Sequence, residues 1–161
     1  HNFLYLGLIH RALPNAKIIC LRRDPMDTCL ANYRQLFATQ FSYYRYNYSL
    51  LDCGRYYLEF DRLMQHWQAT LPGAVYELSY ETLVENPGEQ ISALLEWCNL
   101  PWEESCLQPQ LSTASVATPS ALQVRQGIYT SAIGRWRRYG AVLKPLYALL
   151  RDAGVYNASG V

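Results

Sequence analysis

Ile18-Ile19-Cys20-Leu21-Arg22-Arg23-Asp24-Pro25-Met26-Asp27 is the stretch on which the fold turns. With Ala16-Lys17 before it, the apolar, partly β-branched run through Leu21 reads as a buried strand. Arg22-Arg23 follow at once. Asp24 then stands as an N-cap, Pro25 at the first helical position and Asp27 at the third, which together start a helix. A strand that runs straight into a capped helix, with arginines at the junction, is a place where a ligand can sit. Open parallel sheets bind ligands beyond the carboxyl ends of their strands. A helix N-terminus there offers free N–H groups and positive dipole character. The planar fork of an arginine binds two oxygens of a phosphate or sulfate ester. Arg23 could equally pair with Asp24 or Asp27 as a structural ion pair, and the local sequence leaves both readings open.

The same grammar recurs on either side. Phe3 to Ala12 reads as a helix, ended by Leu13-Pro14-Asn15. Met26, Leu30, Tyr33 and Phe37 mark the apolar stripe of the helix that Asp24 starts. The tyrosine-rich stretch Phe41 to Tyr48 reads as a loop that covers the core or lines a groove. Leu50 to Ala69 is a long amphipathic helix through Cys53, Tyr57, Phe60, Met64 and Trp67. Ala74 to Ser79 reads as a second strand, with Tyr80-Glu81 just past its end. Asn86-Pro87 opens another helix, with Ile91, Leu94, Leu95 and Cys98 on its buried face. Pro101 to Leu107 is a short segment and Gln108 to Ser120 a loop. A helix from about Pro145 to Ala153 closes at Gly154. Strands separated by helices imply an α/β fold with a parallel sheet and crossovers. Two strands fall short of the usual ~5–6 of a sheet. Strands are therefore expected to be missing upstream, and the chain to be the back part of a larger fold.

Length and composition set the outer bounds. The chain has 161 residues, 50% hydrophobic and 17% charged, which excludes a disordered or low-complexity polypeptide. No apolar run approaches the ~20 residues of a membrane helix, and no signal peptide is visible. The net charge of +1 gives no sign of a nucleic-acid binder. The distribution says more: residues 105–151 hold Arg125, Arg135, Arg137, Arg138, Lys144 and Arg151 and no Asp or Glu. That stretch is either a solvated basic face or one wall of an anion site. The five cysteines are widely spaced without a CxxC, so no metal site is expected, and reduced thiols in a cytoplasm fit best. His66, beside Met64 and Trp67, reads as a packing or surface residue.

The strand–Arg–helix segment resembles the 3′-phosphate-binding segment of sulfotransferases that use 3′-phosphoadenosine 5′-phosphosulfate (PAPS). It is most similar to the bacterial branch often fused to tetratricopeptide repeats. Leu6-Gly7-Leu8-Ile9, Leu63-Met64-x-His66-Trp67, Tyr80-Glu81-x-Leu83-Val84 and Pro101-Trp102 agree, as do Gln123-Val124-Arg125-Gln126 followed by Gly134-Arg135-Trp136. The match runs from Asn2 to Arg151. It implies a parallel-sheet, P-loop-like three-layer fold, truncated at the N-terminus and helix-rich here. Residues 1–154 would form the C-terminal part of one sulfotransferase domain and 155–161 a tail. The resemblance implies PAPS as co-substrate, PAP as product, no metal, and a small-molecule, protein or carbohydrate acceptor. Neither nucleic acid nor membrane is an implied partner, and tetratricopeptide repeats could precede the domain in the parent chain. Arg23 falls on the arginine that holds the 3′-phosphate and Tyr80 on the tyrosine at the adenine end. Arg125 and Gln126 fall in the segment that closes over the cofactor.

Three departures qualify the match. Ala31 stands where the family places a serine on the 3′-phosphate; Asp27, Ala31 and Arg34 share a helix face, so Arg34 is a candidate replacement. Gly127 replaces the proline usual after Val-Arg-Gln, which should loosen that loop. The family's Pro-Arg-Ser-Gly-Thr-like 5′-phosphosulfate loop appears nowhere, and its catalytic base falls slightly before His1 in the match, so no catalytic residue is expected in this chain. Rival readings are a non-catalytic sulfotransferase-like module, for which Ala31 argues, a kinase-like phosphoryl transferase, and a helical interaction domain.

Overall fold

The computed structural model describes residues 1–35, 37, 42–112 and 127–156. Its centre is a two-stranded parallel sheet, β1 (Ile18–Arg22) and β2 (Val75–Ser79). Ile18 pairs with Val75 and Arg22 with Ser79, so the residues that follow, Arg23 and Tyr80, leave the sheet side by side. Helices α1 (Leu6–Ala12), α2 (Pro25–Arg34) and α3 (Leu50–Thr70) are joined by α4 (Tyr80–Glu85), α5 (Pro87–Cys98) and α6 (Lys144–Asp152).

The N-cap of α2 forms as its sequence predicts: Asp24 Oδ1 accepts from the Asp27 N–H at 2.9 Å, with Pro25 in the first turn. Ser49 and Ser79 cap α3 and α4 in the same way. Asn86 makes no side-chain cap, so Pro87 alone favours the start of α5. Glu81 ties the two strand–helix junctions together, accepting from the Asp24 N–H at 2.8 Å and from Ser79 Oγ at 3.0 Å.

The core lies between α2, α3 and the C-terminal segment. Met26, Cys29 and Leu30 meet Cys53 and Tyr57, and Trp136, Leu143, Leu146 and Leu150 close over them. Each fully buried Met or Leu side chain of this cluster stabilises the fold by about 1.5–3 kcal/mol. Val155 and Tyr156, assigned to the tail, pack against this cluster.

Several elements differ from expectation. The first helix divides: Asn2–Tyr5 is a 3₁₀ turn and α1 begins at Leu6. Gly7 in α1 is required, because a Cβ there would lie 2.9 Å from the Trp67 ring. The buried stripe of α2 runs through Met26, Cys29 and Leu30, while Tyr33 is 45% exposed and the helix ends before Phe37. Ser42–Tyr48 is a 3₁₀ helix rather than a loop. No residue of α5 is fully buried; the helix packs mainly on β2, α4 and a short 3₁₀ turn at Glu104–Leu107. The strand read as buried leaves Ile19 45% and Leu21 53% exposed, so the described residues cover that face of the sheet only in part. The loop expected from Gln108 to Ser120 contains a 3₁₀ turn at Pro109–Leu111 and otherwise lies mostly outside the described residues. No helix among the described residues is long and apolar enough to cross a membrane.

Candidate functional site

Beyond the carboxyl ends of β1 and β2 lies a cleft of about 510 Å³. It is walled by Arg23 and Tyr80 from the strand ends, Ala31 and Arg34 from α2, and Tyr129 and Arg135 from the C-terminal segment. The cleft therefore gathers three arginines against one carboxylate, that of Asp27.

Arg23 is held from three sides. Its Nη2 donates to the Ala132 carbonyl and stands 3.4 Å from Asp27 Oδ2, and its guanidinium lies 5.1 Å from the centre of the Tyr80 ring. The ion pair with Asp27 and the position at the cleft are thus both realised. The residual capacity lies at Nε, which is buried and has no hydrogen-bond partner. Tyr80 packs against this cation, and burial pushes its hydroxyl pKa up. Arg34 is exposed at the cleft mouth with its guanidinium 5.8 Å from the Tyr139 ring. Ala31 presents only its methyl group to the cleft, and a methyl donates nothing to an anion. Arg125 and Gln126 lie outside the described residues.

Asp27 organises the opposite wall. Its side chain is fully buried; Oδ2 accepts from the Gly134 N–H at 2.7 Å and Oδ1 from the Trp136 N–H at 2.9 Å. Arg135 sits between those two anchored amides, so a carboxylate on α2 sets a backbone more than a hundred residues away in sequence. Arg135 Nε, like that of Arg23, is buried without a partner. Sequence reasoning did not assign Arg135 to the site. The signal was its place in the acid-free stretch and beside the family-like Gly134–Trp136, but nothing local shows that Asp27 fixes it. Gly127 takes φ +77°, a conformation that a proline ring excludes.

Arg22 points the other way and is spent on structure: it pairs with Asp61 and, at 3.3 Å, with Glu77. His1 stands apart from the cleft, its Nδ1 2.6 Å from the Tyr56 hydroxyl, and His66 is exposed beside Trp67. Among the described residues, no group of His, Cys, Asp and Glu could hold a metal ion. All five thiols are free; burial pushes Cys53 up to about 11 and Cys29 higher, which leaves both as inert, protonated core groups.

Comparison with known proteins gives the family and the fold. An uncharacterized protein of Aquifex aeolicus (strain VF5) is 41% identical over 152 residues, which cover 94% of this chain and 20% of that protein. The chain thus spans about a fifth of the length of this relative. The solved sulfotransferase domain from the curacin biosynthetic pathway superposes with a TM-score of 0.63 at 17% identity, over 96% of this chain and 60% of that one. That likeness identifies the fold: a helix-rich α/β arrangement on a parallel sheet. The sulfotransferase family model matches residues 1–104, well over half the chain and including both strands, and on that match the chain belongs to the sulfotransferase family.

Proposed function

We propose that this chain carries the nucleotide-binding portion of a sulfotransferase that takes its sulfuryl group from PAPS, releases PAP and acts on an acceptor hydroxyl or amine. The observation that carries the reading is the pair of buried, unpartnered Nε groups of Arg23 and Arg135 at a cleft with three arginines. A buried donor left unpaired costs about 1–3 kcal/mol, more when charged, and an anionic ligand removes that cost. The residues present therefore fit a phosphorylated nucleotide. Arg23 would hold its 3′-phosphate, with Arg34 and Arg135 supplying the donors that Ala31 cannot. Tyr80 offers an aromatic surface to the base, and Arg125 and Gln126 would close over the nucleotide. PAPS supplies the sulfuryl group, and fixed positive charge of this kind stabilises developing negative charge without reorganisation. The 5′-phosphosulfate contacts and the base would come from other parts of a longer parent, a cytoplasmic protein with or without tetratricopeptide repeats.

Isothermal titration of the chain with PAP, beside a PAPS turnover assay, tests this. Saturable PAP binding without turnover is the expected result; no binding overturns the nucleotide reading, and turnover overturns the division of labour. Ala31 favours one second reading, a non-catalytic nucleotide-binding module. In that case the full-length parent would bind PAP tightly and leave PAPS intact with every acceptor offered.

A further inference from the structure

Arg135 and Trp136 are neighbours in the chain but line different cavities. Arg135 belongs to the cleft at the strand ends, whereas Trp136 lines a separate cavity of about 590 Å³ that shares no lining residue with that cleft. This volume lies within the ~300–1,000 Å³ usual for small-molecule sites. Met26, Leu143 and Trp136, all buried, give the cavity an apolar base, and Tyr147 and Ala141 extend it.

The charges around this apolar base are all of one sign. Arg137 and Lys144 line the cavity, and no carboxylate does. The Arg137 guanidinium lies 5.0 Å from the centre of the Trp136 ring. Lys144 is exposed and has no hydrogen-bond or ion-pair partner among the described residues. Helix α6 starts at Lys144 without a side-chain cap and without an acidic residue in its first turn, so the positive end of its dipole is unopposed. The indole N–H of Trp136 is buried and has no hydrogen-bond partner, and an oxygen of a bound molecule would supply one. The acid-free stretch of the sequence thus divides between two places: Arg135 serves the cleft, and Arg137 and Lys144 serve this cavity.

The walls select among ligands. A cation would meet two like charges and no counter-ion. A polar polyanion such as a nucleotide would have to desolvate its phosphates against Met26 and Leu143, which donate nothing. A molecule with an apolar body and one acidic group satisfies both parts: the body covers Met26, Trp136 and Leu143, and the acid faces Lys144 and Arg137. We propose that this cavity is a second ligand site, for an amphipathic monoanion such as an apolar carboxylate. The site stands independently of the nucleotide reading of the cleft.

The test titrates the chain at pH 7 with 4-phenylbutyrate, with its neutral amide 4-phenylbutanamide, with the cation 4-phenylbutylammonium, and with acetate as an anion that lacks the apolar body. We expect saturable phenylbutyrate binding about fivefold tighter than the amide, weaker binding of the ammonium than of either, and no measurable binding of acetate. Raised salt should narrow the gap between carboxylate and amide, because both cations are at the surface. Lys144→Glu should erase the preference for the carboxylate and leave amide affinity within about twofold. Ala141→Trp, which fills the cavity, should abolish binding of both. Arg23→Gln, in the cleft, should leave phenylbutyrate within about twofold. Circular dichroism checks that the variants fold; if Ala141→Trp does not, the exposed Lys144→Glu still decides. No phenylbutyrate binding, equal binding of carboxylate and ammonium, acetate as tight as phenylbutyrate, or a carboxylate preference intact in Lys144→Glu overturns the site. Loss of phenylbutyrate on Arg23→Gln overturns it too, by moving the anion to the cleft.

Discussion

The two ends of the sheet are both concave and both carry positive charge, yet only one holds buried arginine N–H groups without a partner. At the amino ends of the strands a cavity of about 650 Å³ is lined by His10, Lys17, Pro72, Trp97 and Asn99. At the carboxyl ends the arginine cleft is smaller, about 510 Å³. Lys17 is exposed to water, with one Nζ N–H donated to the Trp97 carbonyl at 2.8 Å and the ammonium 4.6 Å from that ring. Arg23 and Arg135 each keep a buried N–H without a partner. Buried unpaired donors, not volume, distinguish the two ends. The carboxyl end is also stitched to distant chain, through Asp27 to Gly134 and Trp136 and through Arg23 to Ala132. The amino end is not organised by any such buried carboxylate among the described residues.

The contrast breaks first at Asp27. Asp27→Ala should cost about 3–5 kcal/mol of folding stability, because it orphans the Gly134 and Trp136 amides and leaves Arg23 without its counter-ion. Urea denaturation reads this as a large fall in midpoint. A loss below about 1 kcal/mol would show that the C-terminal segment is held by the Trp136, Leu146 and Leu150 packing alone. The next largest effect is on binding. Arg23→Gln should weaken PAP about a hundredfold, the worth of a charge-assisted contact in a partly buried site, while Lys17→Gln should change nothing. A Lys17 variant that loses PAP would place the nucleotide at the opposite end of the sheet.

How much of this was readable in the residues follows from the range of the interactions. The strand–turn–helix at Ile18–Asp27 is local: a β-branched run, an Asp cap and a Pro at the first turn decide it within ten positions, and it formed as expected. Arg23 and Tyr80 could be placed at the strand ends because parallel pairing puts both there. The exposure of Ile19 and Leu21 was not legible, since apolar strand residues look the same whether or not something covers them. Arg135 was invisible for another reason. Its place depends on a carboxylate 108 positions earlier, read locally as a helix-start residue, whose oxygens turn out to be committed to the C-terminal amides. Periodicity and capping describe neighbours along the chain and are silent on such a stitch.

Arg135 and Arg34 sharpen the comparison at smaller magnitudes. If Arg135 reads the 3′-phosphate, Arg135→Gln should weaken PAP about tenfold and leave adenosine 5′-phosphate nearly unaffected, a selective loss that general unfolding cannot mimic. Equal losses for both nucleotides would move Arg135 to the 5′ side.

The smallest effect concerns the departure at Ala31. A hydroxyl restored there adds one donor on the helix face shared with Asp27 and Arg34. If exposed Arg34 has taken over the missing contact, the two substitutions must interact. Ala31→Ser in the native background should tighten PAP by no more than about threefold, because the position is already served. Arg34→Ala alone should weaken PAP about fivefold, as expected of a solvent-screened guanidinium. In the Arg34→Ala background the serine should recover most of that loss, and the double-mutant cycle should show a coupling of about 0.5–1 kcal/mol. Additive effects would mean that Arg34 holds a different part of the ligand. An Arg34→Ala protein that binds PAP as tightly as the native chain would remove Arg34 from the site, leaving Arg23 and Arg135 as the arginines that bind the phosphate.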